Sequence, residues 1–244
     1  MKVIKKLGKK LLRPLNLDIV RLNALPQTYF EIDNDFNSLY ALAQEKTQMA
    51  FSDNLLRRQR HYTLNHLFQQ VDVSLGDVAE CGCWRGLSSY QLSTHLGKRG
   101  FKNTFYIFDS FEGLSEFQDI DFTKNGIKDI DARRKWFACS LDFVRDNLKE
   151  FDFIEYKKGW IPERFAEVEN EKFIFVHIDV DLYQPIKDAL EFFYSRTLKS
   201  GIIVLDDYGA IDFPGAKKAV DEFLQNKKDF FLPLPSGQAF LIKE

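Results

Sequence analysis

Four aspartates follow two apolar stretches of the sequence, in positions where their carboxylates could act together. Asp179 and Asp181 follow one stretch, and Asp206 and Asp207 end the next. If the two stretches are neighbouring strands of a sheet, their tips lie about 5 Å apart, so three or four carboxylates converge. Such a cluster repels itself unless it is protonated or bound to a cation. Hard divalent cations prefer oxygen ligands, so these residue types favour Mg²⁺ over Zn²⁺.

One alternative to this interpretation of the aspartates stays open. Asp207 directly precedes a predicted helix and Asp181 nearly does, so both could serve as helix N-caps. His177 shares one side of the strand with Asp179 and Asp181 if the strand continues that far. We interpret His177 as a buried, hydrogen-bonded core histidine in preference to a functional group.

Predicted strands and helices alternate from about residue 75 onward, and they position these residues. Apolar runs predict strands over 76–83, 103–109, 151–159, 171–179 and 201–207, followed by a hairpin of two short strands over 229–235 and 237–243. Helical spacing predicts helices over 86–100, 131–148, 185–198 and 214–226. Strands separated by helices imply right-handed crossovers and a parallel sheet, in which ligands bind beyond the carboxyl ends of the strands.

The loop after the first strand and the end of the second favour a nucleoside cofactor. Gly82 and Gly86 allow a tight turn and a close approach of a ligand to the backbone. The loop lacks the glycine spacing of a dinucleotide site, which suits a cofactor without a pyrophosphate. Asp109 could accept hydrogen bonds from ribose hydroxyls, with Ser110 and Phe111 next to the adenosine. A tight strand-to-helix turn without a ligand is the alternative.

Composition narrows the class of protein. The 244 residues carry a formal net charge of -2, and this lack of basic excess argues against a nucleic-acid partner. Three cysteines do not make a disulfide framework, and we expect a reducing cytoplasm. Cys81 and Cys83 are interpreted as small buried apolar residues, with a zinc site as the alternative.

Residues 1–70 form a separate, mixed region with helix-like spacing, which we interpret as a helical lid that also supplies oligomer contacts. Its first 13 residues are basic, but no apolar run long enough for a signal peptide follows, and no stretch approaches a transmembrane span. A solvated basic tail is the favoured interpretation of residues 1–13. A short amphipathic helix that touches anionic lipid is the alternative. Residues 71–244 would then form the second domain.

Six motifs together resemble the macrocin O-methyltransferase family, which includes sugar methyltransferases of macrolide and aminocoumarin pathways. In chain order they are AECGCWRG, FDSFEGL, KKGW, HIDVDLY, GIIVLDDYG and PGAKKAVDEF, spread over residues 75–225. The resemblance implies a Rossmann-like class I methyltransferase, an α/β fold with a mostly parallel seven-stranded sheet and helices on both faces. It also implies S-adenosylmethionine and Mg²⁺ as cofactors, and a hydroxyl of a small molecule or glycan as the acceptor.

Motif matching assigns roles to individual residues. It implies Asp179, Asp206 and Asp207 as metal ligands and Asp181 as general base. The implied cofactor-binding residues are Glu80, Gly82, Cys83, Trp84, Arg85, Ser88, Asp109, Ser110, Phe111, Gly159 and Trp160.

Departures from the family pattern concern the acceptor more than the reaction. Gln184 and Pro185 replace the Glu and Ser or Thr that often follow the DLY triplet, and Leu87 replaces a second glycine. Two rival functions remain. A metal-dependent glycosyltransferase would use the Asp179-x-Asp181 spacing, and a non-catalytic nucleoside-binding protein would keep the fold alone.

Overall fold

A computed structural model describes residues 29–122 and 129–244. The chain divides into two compact units, one ending at Asn37 and the other running from Ser38 to Glu244. In the first unit, the side chain of Asn37 donates a hydrogen bond to the carbonyl of Phe30 at 2.8 Å. The basic segment 1–13 lies outside the described residues, and the predicted domain boundary near residue 70 stays a prediction.

Seven strands form one sheet in the order β3-β2-β1-β4-β5-β7-β6. All pairings from β3 to β5 are parallel, and β7 is antiparallel to both β5 and β6. The strands are β1 Asp77–Cys81, β2 Phe105–Asp109, β3 Ile154–Lys158, β4 Phe173–Ile178, β5 Thr197–Leu205, β6 Phe230–Pro233 and β7 Ala239–Ile242. The mostly parallel seven-stranded α/β fold predicted from the sequence is confirmed.

Eight α-helices lie among the described residues. They are α1 Tyr29–Ile32, α2 Asn34–Lys46, α3 Leu55–Phe68, α4 Leu87–Lys98, α5 Ile130–Trp136, α6 Leu141–Asn147, α7 Tyr183–Tyr194 and α8 Pro214–Leu224. Short 3₁₀ helices span Ala50–Ser52, Asp119–Asp121 and Glu163–Val168. None of the helices in the described ranges is both long and apolar enough to cross a membrane.

The core explains why the central strands read as continuous apolar runs. Every residue of β4 is buried, which requires cover on both faces of the sheet. Helices α7 and α8 pack together, and α3 packs against α4. Cys81 and Cys83 are buried and form no disulfide, as expected for small apolar residues.

Two predicted boundaries were wrong. The single helix predicted over 131–148 is broken into α5 and α6, because Ser140 caps a new helix by accepting a hydrogen bond from the backbone N–H of Phe143 at 3.2 Å. Strand β5 begins at Thr197, before the predicted start, and the register with β4 shifts between Phe173 and Phe175. The additional β5 residues form an irregularity in which Ser200 has φ 65°.

Candidate active site

A cavity of about 640 Å³ opens at the carboxyl ends of β1, β2, β4 and β5. Gly82, Asp109, Asp179 and Asp206, which follow or end these four strands, all line it. Strand order reverses here, because β1 pairs with β2 on one side and with β4 on the other. Open α/β sheets bind their ligands at such a reversal, so this cavity is the candidate functional site.

Gly82 makes the sharp turn out of β1. Its φ of 83° lies in the left-handed region, and a Cβ at this position would overlap the carbonyl oxygen of Asp179. Its backbone N–H donates to the carbonyl of Phe108 at 2.8 Å. Trp84 also has a positive φ, of 49°. The loop therefore lies close against β4, with its backbone facing the cavity.

Asp109 holds this loop in place. Its Oδ2 accepts hydrogen bonds from the backbone N–H groups of Cys83 at 2.8 Å and Trp84 at 3.1 Å. Its Oδ1 accepts one from Phe111 at 2.7 Å. Burial raises the pKa of Asp109, and the three backbone donors oppose that rise. The carboxylate is thus both a clamp on the loop and part of the cavity wall.

Six of the predicted cofactor residues line the cavity, and five do not. Those at the cavity wall are Gly82, Trp84, Asp109, Ser110, Gly159 and Trp160. The structure does not bring the side chains of Glu80, Cys83, Arg85, Ser88 and Phe111 to that wall.

The five residues away from the wall have other partners or are enclosed by the protein. Cys83, Ser88 and Phe111 are buried. The Arg85 guanidinium donates to the carbonyl of Thr47 at 3.1 Å. Glu80 is fully buried and accepts hydrogen bonds from inside the sheet layer, as described below. Their proximity to the loop in sequence therefore does not by itself place their side chains against a ligand.

The predicted acidic cluster is present at the tips of β4 and β5. Ligand atoms of His177, Asp179 and Asp206 all lie within 4.8 Å of one another. Asp207 lies beside them, but its Oδ2 accepts a hydrogen bond from the backbone N–H of Asp181 at 3.0 Å. Asp181 has φ 59°, a backbone conformation uncommon for residues other than glycine. Four carboxylates therefore converge as expected, and the histidine joins them.

Arg60 supplies a positive charge to this cluster. Its guanidinium forms an ion pair with the Asp206 carboxylate and lies 3.2 Å from Asp207 Oδ1. It also donates to the backbone carbonyl of Asp206 at 2.9 Å. Asp206 is held from the other side by Gln238, whose amide donates to Oδ1 at 2.6 Å.

The protonation of the cluster reflects burial and mutual repulsion. Burial, followed by the charge of Asp207, raises the pKa of Asp179 to about 6. The same two causes raise the pKa of Asp181 well above its usual range. Burial lowers the pKa of Arg60, but the charges of Asp207, Asp179 and Asp181 and the hydrogen bond to Asp207 together raise it overall. Ionising all of these carboxyls together is therefore unfavourable in the protein alone, and a bound cation would relieve that cost.

His177 lies deeper than the four aspartates. Its Nδ1 is 2.9 Å from Glu80 Oε1, and its Nε2 is 3.6 Å from Asp206 Oδ1. Ser89 donates a second hydrogen bond to Glu80. Burial lowers the pKa of His177, but the hydrogen bond and charge of Glu80 raise it overall. His177 is thus buried and hydrogen-bonded as predicted, yet it also lines the cavity.

Sequence reasoning missed the contribution of α3. Arg57, Arg60, His61 and Leu64 all line the cavity from this helix. Their spacing of three, four and seven residues is that of one helical face, and two arginines on such a face were the available signal. Burial, with the nearby charges of Arg57 and Arg60, lowers the pKa of His61 well below its usual range.

A family model described as Macrocin-O-methyltransferase (TylF) matches residues 22–234. This span covers most of the chain, including every residue of the cavity except Ser236 and Gly237. The chain belongs to the macrocin O-methyltransferase family. The resemblance inferred from six motifs is therefore confirmed over a longer stretch than those motifs occupy.

Two curated relatives have names that describe their reactions. The chain is 26% identical over 153 residues to demethyldecarbamoylnovobiocin O-methyltransferase of Streptomyces niveus, with 61% of this chain and 58% of that protein aligned. It is 29% identical over 142 residues to 8-demethyl-8-(2,3-dimethoxy-alpha-L-rhamnosyl)-tetracenomycin-C 4'-O-methyltransferase of Streptomyces olivaceus, with 56% and 54% aligned. The chain thus spans little more than half the length of these curated relatives.

Among solved structures, the chain is similar to that of CalS11, a calicheamicin methyltransferase. The two superpose with a TM-score of 0.65 at 19% identity, over 93% of this chain and 98% of the other. At that identity the similarity establishes the fold and no more.

Proposed function

We propose that this protein transfers a methyl group from S-adenosylmethionine to a hydroxyl of a sugar-containing acceptor, with a divalent cation, Mg²⁺, at the acidic cluster. The observation that carries the proposal is that one cavity holds both the Gly82 loop with Asp109 and the acidic cluster of β4 and β5. A cofactor site and an acidic site that share one cavity suit a reaction between two bound molecules.

The cofactor would lie against the β1 loop and the end of β2. S-adenosylmethionine supplies an electrophilic methyl group on a sulfonium, and the chain supplies binding and orientation. Asp109 accepts three backbone hydrogen bonds, while an ionised carboxylate has about four acceptor sites, so capacity remains for a ribose hydroxyl. Gly159 and Trp160 line the same cavity, which supports their predicted place at the adenine.

The acidic cluster has the donor chemistry that a hard cation requires. Within the described residues, the Asp179 carboxylate has no hydrogen-bond donor, although it lines the cavity and lies beside Asp206. A bound cation would fix an acceptor hydroxyl and lower its pKa. Asp179 is the carboxylate best disposed to hold it, and Asp206 and Asp207 are the other two predicted ligands.

Asp181 is our candidate for the general base. It is buried at the cavity wall, and its backbone N–H donates a hydrogen bond to Asp207. A carboxylate held against the acceptor hydroxyl would accept the proton that the hydroxyl loses as the methyl group arrives. The base and the predicted ligands come from adjacent strand ends, so their separation is set by the sheet.

The acceptor class follows from the relatives, whose printed names describe O-methylation within a novobiocin precursor and on a rhamnosyl tetracenomycin. We propose a sugar hydroxyl carried by a small molecule or glycan. The predicted cytoplasmic location, the lid role of the N-terminal region and a homo-oligomer belong to the same proposal.

A methyl-transfer assay tests the proposal. The protein is incubated with labelled S-adenosylmethionine and a panel of sugar nucleotides and sugar-bearing small molecules, with Mg²⁺ or with EDTA. We expect transfer that EDTA abolishes. Asp181→Asn should lower kcat by roughly 10²–10⁴-fold, the usual contribution of general acid–base catalysis.

Asp146→Asn is the matched control, because Asp146 lies exposed on α6 and pairs only with Lys149 at 3.0 Å. It should keep full activity. Transfer that is unchanged after chelation would remove the cation from the proposal. Binding of nucleotide sugars without any binding of S-adenosylmethionine would favour the glycosyltransferase instead.

A further inference from the structure

A chain of four polar side chains crosses from α4 to α3 and ends at the cavity. His95 Nε2 lies 2.8 Å from Asn65 Oδ1, and the Asn65 amide donates to Gln91 Oε1 at 2.6 Å. The Gln91 amide nitrogen lies 3.1 Å from His61 Nδ1. Asn65 and Gln91 are buried, whereas His61 is partly exposed and lines the cavity. His61 therefore connects this buried network to the cavity wall.

Two backbone carbonyls fix the direction of the hydrogen bonds in this network. The Asn65 amide nitrogen donates to the carbonyl of His61 at 2.7 Å, and the Gln91 amide nitrogen donates to the carbonyl of Leu87 at 2.9 Å. A carbonyl only accepts, so turning either side-chain amide over would bring two oxygen atoms together. Gln91 therefore presents an N–H group to His61.

The direction of the Gln91 bond determines the tautomer of His61. Because Nδ1 faces a donor, it must accept, so the ring is neutral and its hydrogen is on Nε2. Burial, followed by the charges of Arg57 and Arg60, lowers the pKa of His61 well below its usual range, which agrees with a neutral ring. The ring of Tyr40 packs beside it, with centroids 5.4 Å apart. His61 therefore offers one fixed N–H donor.

This donor is available to a ligand on the β4 and β5 side of the cavity. In the part of the chain that the structure describes, the hydrogen bond at Nδ1 is the only one that the imidazole ring makes. The neighbouring Arg60 pairs with Asp206 and Asp207, and His177 on β4 is among the charges that act on His61. The predicted cofactor residues at the cavity wall follow β1, β2 and β3 instead. His61 thus stands on the side proposed for the acceptor.

We propose that His61 is a positioning residue that determines acceptor specificity, because its Nε2–H donates to a hydroxyl oxygen of the acceptor sugar. The contacted hydroxyl is not the one that is methylated, since a hydrogen bond donated to the attacking oxygen would withdraw the electron pair that forms the new C–O bond. A donor that the network prevents from becoming an acceptor discriminates against an analogue without that oxygen. This proposal rests on the proposed methyl transfer to a sugar-containing acceptor.

NMR of the full chain with ¹⁵N-labelled histidine tests the tautomer without any acceptor. We expect His61, assigned by the loss of its signal in His61→Phe, to stay neutral with its hydrogen on Nε2 at about pH 5.5, where an ordinary histidine is mostly protonated. Gln91→Glu places a carboxylate opposite Nδ1, so the hydrogen of the neutral ring should move to Nδ1 at about pH 9. A hydrogen on Nδ1 in the wild type would overturn the proposal.

A thermodynamic cycle tests the contact itself. The acceptor is the member of the sugar panel with the highest kcat/KM, and it is compared with deoxy analogues that each lack one hydroxyl other than the methylated one. His61→Phe should lower kcat/KM for the acceptor by roughly 3–10-fold, the effect of one neutral hydrogen bond, mainly through KM. One analogue should lose a similar factor with the wild type and lose nothing more with the variant.

Two further variants separate the donor from the packing of the ring. His61→Gln keeps an N–H donor and should recover part of the loss in KM. His66→Phe is the matched control, because His66 lies on the same helix but does not line the cavity, and it should leave KM unchanged. The Kd of S-adenosylmethionine, measured by calorimetry, should stay the same in His61→Phe.

The outcomes distinguish this proposal from the proposed function. If His61→Phe weakens all analogues by the same factor, or weakens S-adenosylmethionine as much as the acceptor, His61 does not contact an acceptor hydroxyl, and the methyl transfer still stands. If the wild type methylates no member of the panel, the proposed function fails and the acceptor role of His61 fails with it, even where NMR shows the expected tautomer.

Discussion

The aspartate that ends β2 and the aspartates that follow β4 and β5 stand at the same edge of one sheet, in opposite electrostatic conditions. Asp109 accepts three backbone hydrogen bonds, and no carboxylate is among its hydrogen-bond partners in the part of the chain that the structure describes. Asp179 and Asp181 are surrounded by like charge, and burial together with Asp207 raises the pKa of each.

This difference separates two uses of one residue type. Backbone N–H groups turn a strand-end carboxylate into part of the scaffold, because the loop cannot leave without exposing buried donors. Carboxylates that face one another lower the stability of the empty fold, and they persist where a ligand relieves the repulsion. The carboxylate at the end of β2 thus shapes a binding surface, whereas the carboxylates at the ends of β4 and β5 form a site suited to a cation.

We expect the largest loss of stability from a substitution of Arg60, because its guanidinium forms ion pairs with Asp206 and Asp207. Arg60→Met keeps an unbranched apolar stem but removes the guanidinium, which leaves Asp206 and Asp207 without their ion-pair partner. Breaking a buried pair in this way costs about 3–5 kcal/mol, since a buried charge is left uncompensated. Urea unfolding in EDTA should show that loss, and added Mg²⁺ should recover part of it by binding the folded state.

Arg164→Met is the control for this prediction. Arg164 pairs with Glu167 at 3.0 Å on the surface, and such pairs are worth at most about 1 kcal/mol. Equal losses for the two variants would contradict the view that the acidic cluster depends on Arg60. A loss in Arg60→Met that Mg²⁺ does not reduce would show that the cation binds elsewhere.

We expect the second largest loss of stability from Asp109→Asn, which tests whether the Asp109 carboxylate holds the loop after β1. The amide can accept on one side only, so its NH₂ group must face either Phe111 N–H or the donors of Cys83 and Trp84. Buried donors left without an acceptor cost about 1–3 kcal/mol. The free energy of unfolding should fall by that amount, and calorimetry should show weaker binding of S-adenosylmethionine.

Asp72→Asn provides the matched control, since Asp72 accepts from Ser74 on the surface and Asn can do the same. It should change the free energy of unfolding by less than about 0.5 kcal/mol. If Asp109→Asn is as stable as the wild type, the loop does not depend on its carboxylate and the contrast between the two strand ends fails.

The sequence was sufficient for the parallel sheet and for the convergence of the four aspartates, because both follow from strand periodicity and from which strand ends carry acids. It was insufficient for α3, whose arginines reach the cluster from outside the repeating strand–helix pattern. It also assigned Glu80 to the cofactor by motif, whereas the Glu80–His177 contact joins positions 97 residues apart through strand register. Contacts of that kind depend on strand order, which periodicity does not determine.

Asp181→Asn gives the smallest expected effect and the one of opposite sign. Asn occupies the left-handed region readily, so the φ of 59° at this position adds no strain. The change removes one charge from the repelling set, and the free energy of unfolding in EDTA should rise by about 1 kcal/mol.

The raised pKa of Asp181 sets the pH dependence of this gain. The wild type loses stability as the pH rises above the unfolded-state pKa of about 3.8, whereas the variant lacks that contribution. The gain should therefore increase as the pH rises above about 4 in parallel unfolding curves. A variant that is less stable than the wild type throughout this range would place Asp181 with Asp109, as a structural carboxylate.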